Sequence, residues 1–298
     1  MRITFNEVAA NKTKSLFLMA LFIVLIGFLG GLIGVIYGNL TVGIVIAVVI
    51  SLIYSVIAYY AGGKMILAMS GAKEVTKQEY PHLFHAIEGL SIAAGIPKPK
   101  AYVINDSSMN AFATGRDPEH AAVAVTTGLM KRLNRQELEG VIAHELAHIK
   151  HYDVRLMMLS AIMVGVITIL SDFILRTFLW GIHGRRGQQN GMTVAIIVIG
   201  LLFAILTPIV AYLIKLAISR RREYAADAGA ITMTRYPQGL AEALRKISGD
   251  PDPALRGATS ATAHMYISNP FRKSKGWFKN LFSTHPPIQE RIKRLEQM

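Results

Sequence analysis

His144-Glu145-Leu146-Ala147-His148 is the segment of this 298-residue chain whose residue types and spacing could do chemistry. Side chains four apart on a helix point the same way, so both imidazoles reach one ion, and Glu145 beside them can polarise a water on it. The pattern is a zinc signature. A charged, solvated helical turn also matches such a pentapeptide by chance, so a second requirement tests it: a hydrolytic zinc site needs a third protein ligand and an open fourth position. Arg222-Glu223-Tyr224-Ala225-Ala226-Asp227 meets that requirement. Glu223 completes a two-His, one-Glu site for one Zn2+ per chain, and Asp227, a turn later, is spaced to accept the free ring N–H of a ligand histidine. The other reading of this second segment is an exposed helix whose acids offset its arginines. The chain has no cysteine, so thiolate zinc and iron–sulfur sites are excluded and any metal rests on His, Asp or Glu.

These residues need elements to hold them. Residues 136–152 have helical periodicity, with Asn134 as N-cap and Glu137 three positions later. A helix is also expected over 78–94, strands over 101–104 and 121–127, and loops at Gly95-Ile-Pro-Lys-Pro and Gly115-Arg-Asp-Pro. Beyond the second segment, 238–247 reads as a helix, 248–275 as a Gly-, Pro- and Ser-rich stretch, and a charged helix follows Pro286-Pro287.

Between these polar regions the chain is apolar: 52% hydrophobic and 17% charged residues, with a mean hydropathy of +0.38, exceed what a soluble domain carries. Leu16 to Tyr37 is uncharged over 22 residues, and at 1.5 Å per residue such a helix runs roughly 33 Å, the thickness of a bilayer's hydrocarbon. A second uncharged run, Gly38 to Gly63, follows at once, so 16–63 is expected to be a transmembrane hairpin with spans about 16–37 and 40–61. Two more spans fall in 156–214. The third holds Asp172 and Arg176, which either mark its interfacial end or pair within it. Four spans put both termini on one side. The segments 1–15, 64–155 and 215–298 carry nearly all of the 32 Lys and Arg, so that side is the cytoplasm. The net charge of +13 is then topology and attraction to the anionic surface of the lipid bilayer, and no nucleic-acid-binding module is visible. Residues 64–155 and 215–298 face one compartment and are expected to form one composite catalytic domain. Helical rise puts His148 about 12 Å before the third span and Glu223 about 13 Å after the fourth, so straight helices would bring them together at one height.

The chain resembles the HtpX family of membrane-bound zinc metalloproteases, relatives of the CAAX prenyl proteases in the gluzincin group. The residues that carry the resemblance are Asn110-Ala-Phe-Ala-Thr-Gly115, the run from His144 to Asp153, Ser219 to Asp227, Ala263-His-Met and Thr284-His-Pro-Pro287. The resemblance implies a mainly helical α+β protein with four spans and a cytoplasmic gluzincin-like domain carrying a small β-sheet, set in a bacterial inner membrane. It implies His144, His148 and Glu223 as zinc ligands, Glu145 as general base, and proteolytic quality control of unfolded or damaged membrane proteins. Asn110, Ala111, Phe112 and Ala113 resemble the gluzincin edge strand that pairs with the substrate main chain; without the family they read as a loop capped by Asn110. His285 matches a histidine that stabilises the tetrahedral intermediate, or else it is a helix-entry residue before two prolines. His151 and His264 read as structural.

Other classes fit less well. An intramembrane protease embeds its zinc helix in an apolar run, whereas Lys131, Arg132, Arg135, Glu137 and Glu139 lie just upstream of this one. Four spans are too few to enclose the chamber of a CAAX-type enzyme, and a zinc-dependent scaffold or transporter would hold its polar constellation within the spans.

Overall fold

The computed structural model describes residues 2–36, 38–184, 220–250, 258–259, 261–268 and 286–298. The two leading apolar runs form helices α1 (Arg2–Ile36) and α2 (Leu40–Met69). Gly38, left-handed at φ 84°, reverses the chain, and Asn39 caps α2 by accepting from the Val42 N–H at 3.1 Å. The helices meet backbone to backbone: a Cβ at Gly34 would lie 2.6 Å from the Asn39 carbonyl oxygen, and one at Gly43 would lie 2.6 Å from the Gly34 Cα. Val45, Val49, Ile53 and Val56 are exposed on α2, a face suited to lipid. Among the described residues three helices are long and apolar enough to cross a membrane, over Glu7–Val35, Leu40–Met69 and Asp153–Leu170. The last belongs to α6 (Asp153–Gly184). The fourth expected span lies outside the described residues. Both hairpin helices overrun their expected ends: α2 continues past Gly63 to bury Ile66 and Leu67 against the polar domain.

That domain carries a four-stranded mixed sheet, β1 (Lys73–Glu74), β2 (Lys100–Ile104), β3 (Ala111–Gly115) and β4 (Ala121–Thr126), in the order β1-β2-β4-β3. Only β2 and β4 run parallel. β1 has two residues, too few to show alternation, and escaped the sequence reading. Helix α3 (Pro81–Ala94) ends at Gly95, left-handed at φ 67°. Short helix α4 (Thr127–Arg132) follows β4 with Thr126 as its cap.

Helix α5 (Arg135–Lys150) holds the zinc signature, and its capping box forms as expected: Asn134 Oδ1 accepts from the Glu137 N–H at 2.9 Å, and Glu137 Oε2 from the Asn134 N–H at 2.8 Å. α5 is buried on nearly every side. Besides α3 and β3, it packs against α7 (Arg220–Thr234) and α8 (Pro237–Ser248), the latter so closely that a Cβ on Gly140 would lie 2.7 Å from the Leu240 nitrogen. A last helix, α9 (Ile288–Leu295), closes over α7 and α8.

One expectation is corrected. Straight helices would run the motif helix directly into the third span, but the chain breaks at Tyr152, left-handed at φ 62°, and α6 starts afresh at Asp153. A residue in that region cannot continue a right-handed helix. The break turns the Asp153 carboxylate back toward α5.

Candidate metal centre

His144 and His148 lie one turn apart on α5 with Nε2 atoms 3.2 Å from each other, and Glu223 on α7 faces both. Its Oε1 is 3.4 Å from His148 Nε2 and its Oε2 is 3.8 Å from His144 Nε2. All three residues are buried. A tetrahedral zinc site with bonds of about 2.0–2.1 Å has ligand–ligand edges of roughly 3.3–3.4 Å, close to this triangle. The other nitrogen of each ring is occupied. His144 Nδ1 is 3.0 Å from Asp227 Oδ1, and His148 Nδ1 is 2.9 Å from Asp153 Oδ2. A carboxylate only accepts, so each Nδ1 carries a hydrogen and Nε2 is the ring nitrogen turned to the shared point. The donor set fits zinc.

The electrostatics point the same way. The side chains of Glu145, Glu223, Asp227 and Asp153 outnumber the guanidiniums of Arg291 and Arg222 here, an acidic excess that suits a divalent cation. Burial, aided by the Arg291 charge, pushes His144 down to about 4, so it is neutral and ready to ligate. Burial opposes charge on His148 as well, but hydrogen bonds and charge from Asp153 and Glu223 outweigh it and push the imidazole up to about 10. An ion bound there displaces that proton. Asp227 is held down at about 2: burial raises it, and the Arg291 charge with the His144 bond prevails.

Arg291, on α9, is fully buried. It grips Asp227 through two bonds, Nε to Oδ2 at 2.9 Å and Nη2 to Oδ1 at 2.6 Å, and its Nη1 lies 3.5 Å from Glu223 Oε2. Neither Arg291 nor Asp153 is legible as a site residue in the sequence. Asp153 had a local signal, a carboxylate just past the C-terminus of the motif helix; Arg291 had none.

The remaining expected residues fall as follows. Glu145 is buried beside His144, near enough to Arg291 to act on its charge. Ala111, Phe112 and Ala113 lie on β3, at the sheet edge against α5, and Asn110 immediately precedes it. The Asn110 side chain donates to the Ser268 carbonyl, and the Phe112 ring packs edge-on to Tyr266 at 5.1 Å. The Thr126 N–H bonds the Asn110 carbonyl, so in this antiparallel pair even-numbered residues face β4 and the backbone of 111 and 113 points outward. Ala111 is already engaged there, its N–H by Asn110 Oδ1 and its carbonyl by the Ile267 N–H. His264 bonds the Met157 carbonyl and His151 packs beside Asn11. His285 lies outside the described residues.

The model of peptidase family M48 matches residues 77–298 of this chain. The chain belongs to peptidase family M48. It is a membrane metalloprotease, and the metal of the M48 family, zinc, agrees with the two-His, one-Glu cluster of this M48 peptidase. Its relatives include proteins named protease HtpX homolog from Dictyoglomus turgidum, 47% identical over 99% of this chain and 95% of that protein, and from Dictyoglomus thermophilum, 53% identical over 81% and 77%. A third, from Ligilactobacillus salivarius, is 43% identical over 99% of both. The crystal structure of Ste24p from S. mikatae superposes with a TM-score of 0.50 at 18% identity, covering 98% of this chain and 67% of that one, which is a likeness of fold.

Proposed function

We propose that the chain is a zinc endopeptidase that cleaves unfolded or damaged membrane proteins at the cytoplasmic face of a bacterial inner membrane, with one zinc held by His144, His148 and Glu223. The observation that carries this reading is the buried triangle of Nε2, Nε2 and carboxylate with both Nδ1 atoms tied to acids. When bound, zinc supplies Lewis-acid polarisation of the scissile carbonyl and acidifies a water molecule at neutral pH. Asp227 and Asp153 hold the histidine tautomers. Glu145 takes a proton from the attacking water and returns it to the leaving amine nitrogen. The edge strand β3, with Ala113 pointing its backbone outward, would pair with the main chain of an extended substrate, a contact indifferent to side-chain sequence; Ala113 is fully buried, so the substrate would displace what covers that edge. The resemblance alone carries the role of His285.

A belt of aromatic and basic residues supports a site at the membrane surface. Lys12 and Arg155 stack on Tyr152, Arg155 also on Tyr59, and Arg116 on Tyr60, all near where α1, α2 and α6 enter the polar domain. Such belts mark the headgroup level. His148 is four residues from Tyr152 and bonds Asp153, so the site lies close to that level. α6 leaves this level at Asp153 and α7 is back at the site with Glu223; if α6 crosses, the chain crosses again before Arg220. The uncharged residues 187–214 are long enough for that fourth span.

The test compares detergent-purified, zinc-loaded wild type with Glu145→Gln on an unfolded membrane protein. The variant should keep its zinc and lose cleavage. Full activity in Glu145→Gln would sink the assignment.

A further inference from the structure

The first membrane helix reaches the ligand shell. Asn11, buried on α1, donates from Nδ2 to Asp153 Oδ1 at 2.7 Å and to the His151 carbonyl at 3.0 Å. Its Oδ1 accepts from Arg222 Nη1 at 3.3 Å, and Arg222 Nε lies 3.5 Å from the same Asp153 oxygen. The other Asp153 oxygen holds His148 Nδ1. Four helices thus converge on one carboxylate: α1 through Asn11, α5 through His148, α7 through Arg222, and α6, which Asp153 opens.

A carboxylate just after a chain break has no helix on its N-terminal side to set its direction. The break at Tyr152 leaves the α5–α6 corner to be held by other groups, and the two Asn11 bonds clamp it on both sides, at the His151 carbonyl and at Asp153. Asn11 also supplies what an acid or an apolar residue could not: one N–H for the carboxylate, a second for the carbonyl and an oxygen for the arginine.

We propose that Asn11 is a positioning residue for the zinc ligand His148, fixing Asp153 so that the imidazole presents Nε2 to the metal. The hydrophobic hairpin is then part of the metal site as well as an anchor. This inference rests on His148 being a ligand. Removing an acid that orients a metal-bound histidine costs about 10–100-fold in metal affinity. Asn11 acts one bond further out, so Asn11→Ala should cost roughly 3–10-fold and Asp153→Ala the full range. Asn11→Asp, isosteric but set against Asp153, should be worse than Asn11→Ala.

The experiment measures zinc affinity of the full-length protein in detergent by chelator competition, and the absorption spectrum of the cobalt-substituted protein, with helicity recorded for every variant. Glu223→Ala tests the underlying site: if it binds zinc like wild type, the ligand assignment fails and Asn11 is not in question. With that control behaving, Asn11→Ala and Asn11→Asp should weaken zinc and alter the cobalt spectrum while remaining folded, and Thr13→Ala, exposed on the same helix, should change neither. Should Asn11→Ala not fold, Asn11→Asp decides. The exchange Asn11→Asp with Asp153→Asn restores a hydrogen bond between the helices but leaves His148 a neutral partner. Affinity should stay low; recovery to the wild-type value, or unchanged affinity in both single variants, overturns the proposal.

Discussion

Replacing Arg291 by methionine isolates the buried ion pair that ties the last helix to the metal site. The guanidinium is fully buried, and its bonds to Asp227 measure 2.9 and 2.6 Å. Asp227 is itself buried, so Arg291→Met leaves it ionised away from water with the His144 ring as its remaining hydrogen-bond partner among the described residues. Breaking a buried pair from one side costs about 3–5 kcal/mol, chiefly through the charge left behind. At about 2–4 °C per kcal/mol for a domain of this size, Tm should fall by roughly 6–20 °C. Asp227→Asn alone removes the arginine's bidentate partner but leaves the Glu223 carboxylate 3.5 Å away, so it should cost less than Arg291→Met. The double variant strands neither member of the pair, loses only the Nη1 contact to Glu223 at 3.5 Å, and should return to within about 1.5 kcal/mol of wild type. The assay is thermal unfolding of the four EDTA-treated proteins in one detergent, arranged as a double-mutant cycle. A coupling below about 1 kcal/mol, or an Arg291→Met variant as stable as wild type, would refute the reasoning. The double variant also separates fold from function: it should recover stability while binding zinc about 10–100-fold more weakly, since His144 has lost its carboxylate.

Glu223→Ala should purify with little zinc by elemental analysis, and Glu223→Gln with an intermediate amount; full metal content in both would remove Glu223 from the ligand set. In EDTA-treated protein, His148 is raised to about 10 from an unfolded value of about 6.5. Its contribution to stability is therefore fully present below about 6.5 and lost as pH rises through about 10. Tm should fall over that window relative to a His148→Gln reference, and a parallel profile for the two would contradict it. Substrate peptides N-methylated at the residue facing Ala113 should lose cleavage through a raised KM, whereas methylation one residue along should be tolerated; equal tolerance at both positions would exclude strand addition at β3.

Much of the site was legible because it is local. The capping box needs three consecutive helical steps, the two histidines need one turn, and Glu223 and Asp227 need another. Each relation is a spacing that a regular helix imposes regardless of surroundings. Three of the four expected apolar runs were legible as long helices for a similar reason, as uncharged length is a property of the run itself, although α2 extends beyond its expected end into the polar domain. The edge strand was only half legible. Its residues could be named, but not that Ile267 already occupies the Ala111 carbonyl.

By itself, then, the sequence determined the chemistry and the environment: which side chains face one another across a helical turn, and which runs can lie in lipid. Tertiary structure alone decided what stabilises and aims them. Arg291 meets an acid 64 residues away in sequence and Asn11 one 142 residues away, and no periodicity of 2 or 3.6 encodes such separations. The left-handed turn at Tyr152 belongs with them. It puts a bulky residue in a conformation its own backbone disfavours, at the corner where α1, α5 and α6 meet, and the bonds that hold that corner exist only once the chain has folded.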